Sequence, residues 1–377
     1  MLAAIATATL LTAFQELDQM CARDRGRMWG VSLCGPTLFV NRQTREVIGN
    51  RAVPSTMLPS SIGIANTSVD WNGQRWTMVV LPLPADDYRR RVLLVHESFH
   101  RIQPKLGFVS QETPNAHLDT VEGRYLLELE WRALATALGG NRSATDDALA
   151  FRARRRRIFS NATTDERALE MNEGLAEYTG TAFAEPSLGK RIPHLIEMLR
   201  EAEKTKSFVR SFAYASGPAW GAILEMHDLR WTRHLHPNDD LGDLAGNAAP
   251  EANDKRAERY GGTALLPAER EREEKRQATM REFRARFIDA PHLVVPLRKF
   301  SFEMNPDEAI PFESFGTVYP TLTLRDEWGT IIVKRGGALM ASDWMHLTVP
   351  NPPSDDYTLT LNEGWRIEGD TIVKKDR

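Results

Sequence analysis

Apolar and polar positions follow a strand-like pattern in the first part of the chain. Residues 29–83 contain several short β-prone runs, and the last two, Ile62–Asp70 and Arg75–Leu83, flank Asn72-Gly73. An Asn-Gly pair readily adopts the positive φ angles of a type I′ turn, so these two runs are predicted to form a hairpin. The first part of the chain therefore predicts a β-sheet.

The period becomes helical after Asp86. Apolar residues then recur at spacings of three and four until Pro104, which predicts a helix that Asp86 caps and the proline ends. A second helix is predicted over Thr120–Leu138, where Gly139 and Gly140 follow. Residues 86–138 are thus expected to form two consecutive helices.

A third helix is predicted from Thr163 to Ala184, because Thr163 and Glu166 match a capping box. Between the second and third helices, Arg152 and Arg154–Arg157 form a basic run. Such runs usually lie on a solvated helix face, and we expect that here rather than a nucleic-acid contact.

The chain changes character again after residue 228. Residues 228–265 predict an irregular segment, and Glu269–Phe287 predicts a highly charged helix. Strands are predicted after Pro296, at Thr321–Leu324, Thr330–Lys334, Met345–Val349, Tyr357–Leu361 and Thr371–Lys374. We therefore expect an α+β protein in which an N-terminal twisted β-sheet packs on a helical subdomain. Its two domains are residues 1–295, β-rich over 29–83 and helical over 86–290, and a small β domain, residues 296–377.

The first residues allow two interpretations. An amphipathic helix would place one set of apolar residues on a common face: Leu10, Leu11, Phe14, Leu17 and Met20. A truncated signal peptide is the alternative, since the segment is apolar and contains Ala6-Thr7-Ala8, although it lacks a basic n-region. The protein is therefore either exported, to the periplasm or outside the cell, or cytoplasmic.

The composition excludes some classes of protein but does not indicate which reaction or ligand the protein has. The 48 basic and 51 acidic residues give a net charge of −3, which argues against a nucleic-acid partner. No stretch approaches 18 consecutive apolar residues, so no transmembrane segment is expected. The two cysteines, Cys21 and Cys34, are too few for a four-cysteine zinc site or an iron–sulfur cluster. They form either a disulfide or two thiols.

The first predicted helix carries the motif His-Glu-x-x-His at His96, Glu97 and His100. The i, i+4 spacing places both imidazoles on one helical face, where they can bind one metal ion, and neutral histidines suit zinc. Glu97 can then act as a general base that takes a proton from water. The motif predicts one catalytic Zn²⁺ ion.

A catalytic zinc ion needs a third protein ligand. The sequence after His100 lacks the further histidine of metzincins. The third predicted helix instead supplies Glu170, Glu173 and Glu177 on one face. Gly174, inside this helix, suggests close packing, and the helix with the histidine motif is its expected neighbour.

His-Glu-x-x-His followed by Asn172-Glu173-Gly174 resembles the gluzincin zinc metallopeptidases, especially the aminopeptidase-N-like branch with its thermolysin-like core. The resemblance covers residues 60–225, although the interval between His100 and Glu173 is longer than in aminopeptidase-type enzymes. It implies a zincin-type domain in which His96, His100 and Glu173 bind zinc. Glu177 is the second choice of ligand, and Glu170 is expected beside a zinc histidine.

The resemblance also implies further roles in peptide hydrolysis. Tyr214, in a Tyr-x-x-Gly setting, corresponds to a tyrosine that hydrogen-bonds the oxyanion. One strand of the hairpin, Ile62–Asp70 or Arg75–Leu83, would bind a peptide or protein substrate by β-augmentation. His117 is expected to have a capping or surface role.

We therefore expect a zinc metallopeptidase that uses Glu97 as base, and the choice between exopeptidase and endopeptidase stays open. Two alternatives also stay open. One is a catalytically inactive zincin-like binding protein, and the other is a zinc hydrolase of a non-peptide amide.

Overall fold

The structure is a computed structural model that describes residues 2–108, 113–246, 251–305, 308–351 and 355–375. The chain divides into two compact units, Met1–Glu269 and Arg270–Arg377. This division lies within a helix, whereas the sequence prediction divided the chain between residues 295 and 296. The protein is of mixed α+β class, with an N-terminal sheet, a helical middle and an all-β C-terminal region.

The first unit contains four strands and most of the helices. The strands are β1 (Thr37–Asn41), β2 (Val47–Gly49), β3 (Thr67–Trp71) and β4 (Gln74–Leu81). The helices are α1 (Leu2–Asp24), α2 (Asp87–Ile102), α3 (Val121–Leu138), α4 (Ala144–Ile158), α5 (Ala162–Leu169), α6 (Leu175–Ala184), α7 (Leu188–Ala202), α8 (Phe212–His227), α9 (Leu241–Ala245), α10 (Asp254–Arg259) and α11 (Gly262–Arg284), the last of which continues into the second unit. None of the described helices is long and apolar enough to cross a membrane.

The N-terminal sheet has the strand order β2-β1-β4-β3. Strand β1 pairs with β4 in parallel, and the other pairs are antiparallel. Asn72 and Gly73 both have positive φ angles, 52° and 72°, and join β3 to β4, which confirms the predicted hairpin. Strand β3 is an edge strand, whereas β4 is internal. The second of the two strands proposed for β-augmentation therefore has no free edge.

Helix α2 forms as predicted. The Arg89 backbone N–H donates to Asp86 Oδ1 at 2.8 Å, and α2 ends at Ile102, followed by a 3₁₀ turn that contains Pro104. Its apolar face is buried in a continuous hydrophobic core that α3, α6 and α8 share. A Cβ atom at Gly180 of α6 would lie 2.7 Å from the Val92 carbonyl oxygen. Helices α2 and α6 thus approach each other closely.

The predicted third helix is interrupted. A π-helical turn, Glu170–Gly174, separates α5 from α6 and forms one continuous helical segment with them. The predicted capping box is wrong, because α5 begins at Ala162 and the Glu166 carboxylate accepts hydrogen bonds from the Arg155 guanidinium instead. Turns of π type occur frequently at functional sites.

The basic run is only in part the solvated face that was expected, because one of its five arginines, Arg157, is exposed. Arg152 and Arg155 are 2% and 0% exposed. Both belong to a buried ion-pair network with Glu130, Glu166, Glu170 and Asp240. From α4, these two arginines face three other elements that carry carboxylates. A charged side chain can be buried at low cost only when it has partners of this kind.

Helix α1 confirms the amphipathic helix except at one position. Phe14, Leu17 and Met20 are buried, but Leu11 is 52% exposed and lies outside the packed face. Cys21 at the end of this helix forms a disulfide with Cys34.

The segment expected to be irregular contains short helices, among them α9 and α10, while its residues 247–250 lie outside those described.

The second unit contains two sheets. The strands are β5 (His292–Pro296), β6 (Ser301–Met304), β7 (Ile310–Phe312), β8 (Gly316–Tyr319), β9 (Leu322–Asp326), β10 (Gly329–Val333), β11 (Ala338–Ala341), β12 (His346–Pro350), β13 (Tyr357–Leu361), β14 (Trp365–Glu368) and β15 (Thr371–Lys374). One sheet has the order β13-β10-β9-β6 and the other β14-β15-β5-β12-β11-β8-β7. The five predicted strands correspond to β9, β10, β12, β13 and β15. The remaining strands are short and were not predicted.

Candidate metal centre

Three side chains from two helical elements meet at one point. The Nε2 atoms of His96 and His100 are 3.1 Å apart. Glu173 Oε2 lies 3.3 Å from the first and 3.4 Å from the second. Helix α2 supplies both imidazoles one turn apart, and the π turn supplies the carboxylate. Within the described part of the chain, these are the residues whose ligand atoms cluster tightly enough for a metal ion.

This triangle has the dimensions of a zinc site. With ligand distances of about 2.0–2.1 Å and tetrahedral angles, ligand atoms lie about 3.3–3.4 Å from one another. Two neutral nitrogens and one carboxylate oxygen are also a usual donor set for catalytic zinc. The geometry and chemistry of the three residues therefore fit a zinc ion.

Hydrogen bonds on the far side of each ring orient the two histidines. His96 Nδ1 lies 2.7 Å from Glu177 Oε2, and His100 Nδ1 lies 2.8 Å from Gln103 Oε1. A carboxylate or amide oxygen can only accept, so each Nδ1 atom carries a hydrogen and each Nε2 atom faces the cluster, where it offers a lone pair when the ring is neutral. This is the tautomer that a metal ion requires.

Two sequence expectations about the neighbouring glutamates are therefore wrong. Glu177, the second choice of ligand, contacts the rear of His96 rather than the donor cluster. Glu170, expected beside a histidine, instead pairs with Arg152 in the buried network. The π turn contains Glu170 and Glu173, and its wider turn departs from the α-helical spacing on which one common face was predicted.

Glu97 is 5% exposed, and its Oε2 atom has no hydrogen-bond partner among the described residues. Burial is the largest contribution to the raised pKa of this carboxyl group, and the neighbouring His96 and His100 act in the opposite direction. An unpaired buried carboxylate oxygen is costly unless a water molecule or ion contacts it. Glu97 lines the same cavity as the three residues of the donor cluster.

The electrostatics of the cluster favour a cation. Burial opposes a charged His96, but its hydrogen bonds to Glu173 and Glu177 outweigh this effect and raise its pKa to about 10, so a proton on Nε2 would compete with a metal ion for the same position. Burial likewise opposes a charged Glu173, yet the two histidines hold its pKa well below the usual range. The site thus stabilises a positive charge between the imidazoles and the carboxylates.

Tyr214 and Arg210, both close to the start of α8, contact the same carboxylate. The Tyr214 hydroxyl donates to Glu173 Oε2 at 2.7 Å, and Arg210 Nη2 donates to Glu173 Oε1 at 3.0 Å. The Tyr214 ring also stacks on His96, with centroids 5.5 Å apart. The structure therefore brings Tyr214 to the donor cluster.

Gly174 explains why α8 comes so close, but its neighbour is not the one expected. A Cβ atom at Gly217 of α8 would lie 2.3 Å from Gly174 Cα, so the two glycines form a backbone crossing. The predicted partner, α2, packs instead against Gly180 of α6. The prediction was wrong because a glycine inside a helix indicates that another element comes close but does not indicate which element it is.

The chain matches no model of a protein family, no curated protein and no solved structure.

The donor cluster opens into a cavity of about 1320 Å³. Edge strand β3 contributes Thr67 and Ser68 to its wall, and Ser68 Oγ lies 3.4 Å from the His100 carbonyl oxygen. The half-buried edge strand β3 thus runs beside the three metal-ligand candidates.

Sequence reasoning missed Gln103 and Arg210. Gln103 follows His100 by three residues, a helical spacing at which side chains meet, so its contact could have been found. Arg210 is distant from Glu173 in sequence, and no local pattern indicates the contact. His117 lies in the buried network, 2.8 Å from Glu166, and the capping role belongs to Thr120, whose hydroxyl accepts from the Gly123 N–H.

Proposed function

We propose that the protein is a zinc-dependent peptidase that hydrolyses peptide bonds with an activated water molecule. The observation that carries the proposal is the triangle of His96, His100 and Glu173 donor atoms beside the unpaired carboxylate of Glu97. These three residues would hold the metal. When bound, zinc supplies Lewis-acid polarisation of the substrate carbonyl and lowers the pKa of water toward about 7.

The residues of the chain would divide the remaining work. Glu97 takes a proton from the attacking water and delivers it to the leaving amine, as a buried carboxylate with a raised pKa can do. The Tyr214 hydroxyl, which burial keeps protonated, turns from Glu173 to donate to the developing oxyanion. The edge of β3 holds the substrate backbone by β-augmentation.

The helical arrangement supports a zincin-type domain as part of this proposal. Helix α2 carries the two histidines, and the segment from α5 to α6 carries Glu173 on its π turn. The disulfide between Cys21 and Cys34 favours the exported alternative for localisation, because disulfides persist in oxidising compartments.

Replacing Glu97 with Gln tests the mechanism. The variant keeps its volume and the three ligands, so zinc content measured by mass spectrometry should stay at the wild-type level. Hydrolysis of a mixed peptide library should fall by about 10²–10⁴-fold, because the amide cannot accept the proton. His100→Ala serves as the control that loses zinc and activity together. Full activity of Glu97→Gln, or wild-type protein without stoichiometric zinc, would contradict the proposal.

A further inference from the structure

The cavity extends along helix α2 on both sides of the donor cluster. Helix α2 has 16 residues and is therefore about 24 Å long. Tyr88, near its beginning, and Gln103, directly after its end, both line the cavity. Tyr88 precedes His96 by eight residues, or about 12 Å along the axis, and Gln103 follows it by about 10 Å. The metal-ligand candidates thus lie in the middle of an elongated trough.

An extended peptide matches this length. A strand advances about 3.3 Å per residue, so the trough accommodates about six to seven residues, with three or four between the metal position and Tyr88. Tyr88 stacks on His194 of α7 with ring centroids 4.2 Å apart, and His194 also lines the cavity. This aromatic pair forms a wall at a distance that only a substrate of several residues reaches.

The carboxylates beside the donor cluster leave no site for the ammonium group of a free N-terminus. Glu173 and Glu177 hold the histidines, and Glu97 is the proposed base. Asp86 caps α2. The other two acidic residues described in the cavity wall, Glu197 and Glu201, lie on α7 and pair with Arg200 of the same helix and with Lys204 just after its end.

Two of the three guanidinium groups in the cavity wall are engaged with protein partners, and the third, Arg89, lies beside Tyr88, about 10 Å from His96 along the α2 axis. Arg210 contacts the Glu173 carboxylate, and Arg75 contacts Asp70 and Ser68. The carboxylate of a free C-terminus needs a charged partner of this kind, and both Arg210 and Arg75 already have other partners.

We infer that the substrate is an internal segment of an extended polypeptide, so that the enzyme is an endopeptidase with a subsite at the Tyr88–His194 pair. This inference rests on the proposed peptidase function and specifies its substrate class. The substrate lies along β3 and α2 and contacts the Tyr88 ring three or four residues from the cleaved bond.

A set of decapeptides with acetylated N-termini and amidated C-termini tests the inference against the same peptides with free termini. We expect zinc-loaded protein to cleave both sets at internal bonds with rates within about threefold. Blocked tetrapeptides should be poorer substrates, because they cannot reach Tyr88. If cleavage needs a free terminus, the peptidase proposal stands and this inference is overturned. If neither set is cleaved, the peptidase proposal fails and the inference with it.

Tyr88→Ala tests the subsite itself. This variant should lower kcat/KM about 5–10-fold for decapeptides and leave tetrapeptides within about twofold of wild type, as the loss of one aromatic contact implies. Tyr88→Phe keeps the ring and should restore the rate. Arg91→Ala is the matched control on the same helix, because Arg91 lines a separate depression with Glu16. An equal loss for peptides of both lengths would overturn the subsite.

Binding gives a readout that does not depend on turnover. A fluorescently labelled blocked decapeptide should bind the Glu97→Gln variant more tightly than a labelled tetrapeptide does, as measured by anisotropy. Adding Tyr88→Ala to this variant should weaken decapeptide binding about 5–10-fold. Equal affinity for both lengths would contradict an extended site.

Discussion

At the scale of single residues, the two histidines of the candidate centre have different support. His96 donates to a carboxylate, Glu177, whereas His100 donates to a neutral amide, Gln103. Gln103 is itself fixed, because its Nε2 donates to the Met171 and Asn172 carbonyl oxygens. The Gln103 side chain thus connects His100 to the π turn that carries Glu173, the third ligand candidate.

We expect Glu177→Ala to weaken zinc binding. Loss of the carboxylate frees the His96 ring to rotate and lowers the basicity of its Nε2, which should reduce zinc affinity about 10–100-fold. Competition with a chromophoric chelator measures this change. Glu177→Gln keeps an acceptor and should lose less, and Glu122→Gln, an exposed residue on α3, should bind as wild type does. Unchanged affinity of Glu177→Ala would show that His96 needs no such support.

At the scale of secondary-structure elements, the candidate centre depends on how closely α8 crosses the π turn. Gly174 and Gly217 meet without side chains between them, and this contact brings Tyr214 within 2.7 Å of Glu173. In the same turn, Glu170 is held by Arg152 of α4. The turn that carries Glu173, the third ligand candidate, is therefore held by contacts with both α8 and α4.

Gly217→Ala should separate these elements. The added methyl group would lie 2.3 Å from Gly174 Cα, so the helices must shift, and we expect unfolding free energy to fall by about 1–3 kcal/mol and zinc affinity to fall with it. Gly189→Ala is the matched control on α7, where nothing lies within 4 Å of the new Cβ, and it should stabilise the protein by up to about 1 kcal/mol. Urea unfolding and zinc titration check both variants. Similar effects of the two substitutions would contradict the crossing.

Sequence patterns predicted the elements that depend on neighbouring residues. The Asn72-Gly73 hairpin and the helix from Asp86 to Pro104 arise from local backbone preferences and one apolar face, and the structure confirms both. The π turn, the partner of Gly174 and the contact from Arg210 to Glu173 depend on residues distant in sequence. Periodicity carries no information about such pairs, so these features could not be predicted.

At the scale of the whole molecule, the nearly neutral composition gives no indication that charged side chains are buried inside the fold. The basic run on α4 looked like a solvated surface because its partners, Glu130, Glu166 and Asp240, are dispersed along the chain. In the folded protein the arginines hold the pKa of Glu166 well below the usual range and outweigh its burial. Removing one partner of such a buried pair leaves an unpaired buried charge and destabilises the fold. The network therefore holds four helical elements in one relative arrangement.

Glu128 on α3 differs from these paired carboxylates, and it makes stability depend on pH. It is 2% exposed, its nearest cation is 3.7 Å away in Arg124, and its Oε2 atom has no hydrogen-bond partner in the described part of the chain. Burial, followed by the neighbouring Glu269, raises the pKa of Glu128 from 4.5 to about 8. Between these values the folded protein retains a proton that the unfolded chain releases, so unfolding free energy should fall as pH rises through this window.

Glu128→Gln removes this titrating group while keeping its shape. From about pH 5 to pH 8, the unfolding free energy of the variant should therefore rise relative to that of the wild type by up to about 3 kcal/mol. Urea unfolding followed by circular dichroism across this range measures the difference and cancels the contributions of all other groups. Glu122→Gln, at an exposed position on the same helix, should run parallel to the wild type. A Glu128→Gln profile that also stays parallel would mean that Glu128 is ionised in the folded protein throughout, with Arg124 compensating its burial.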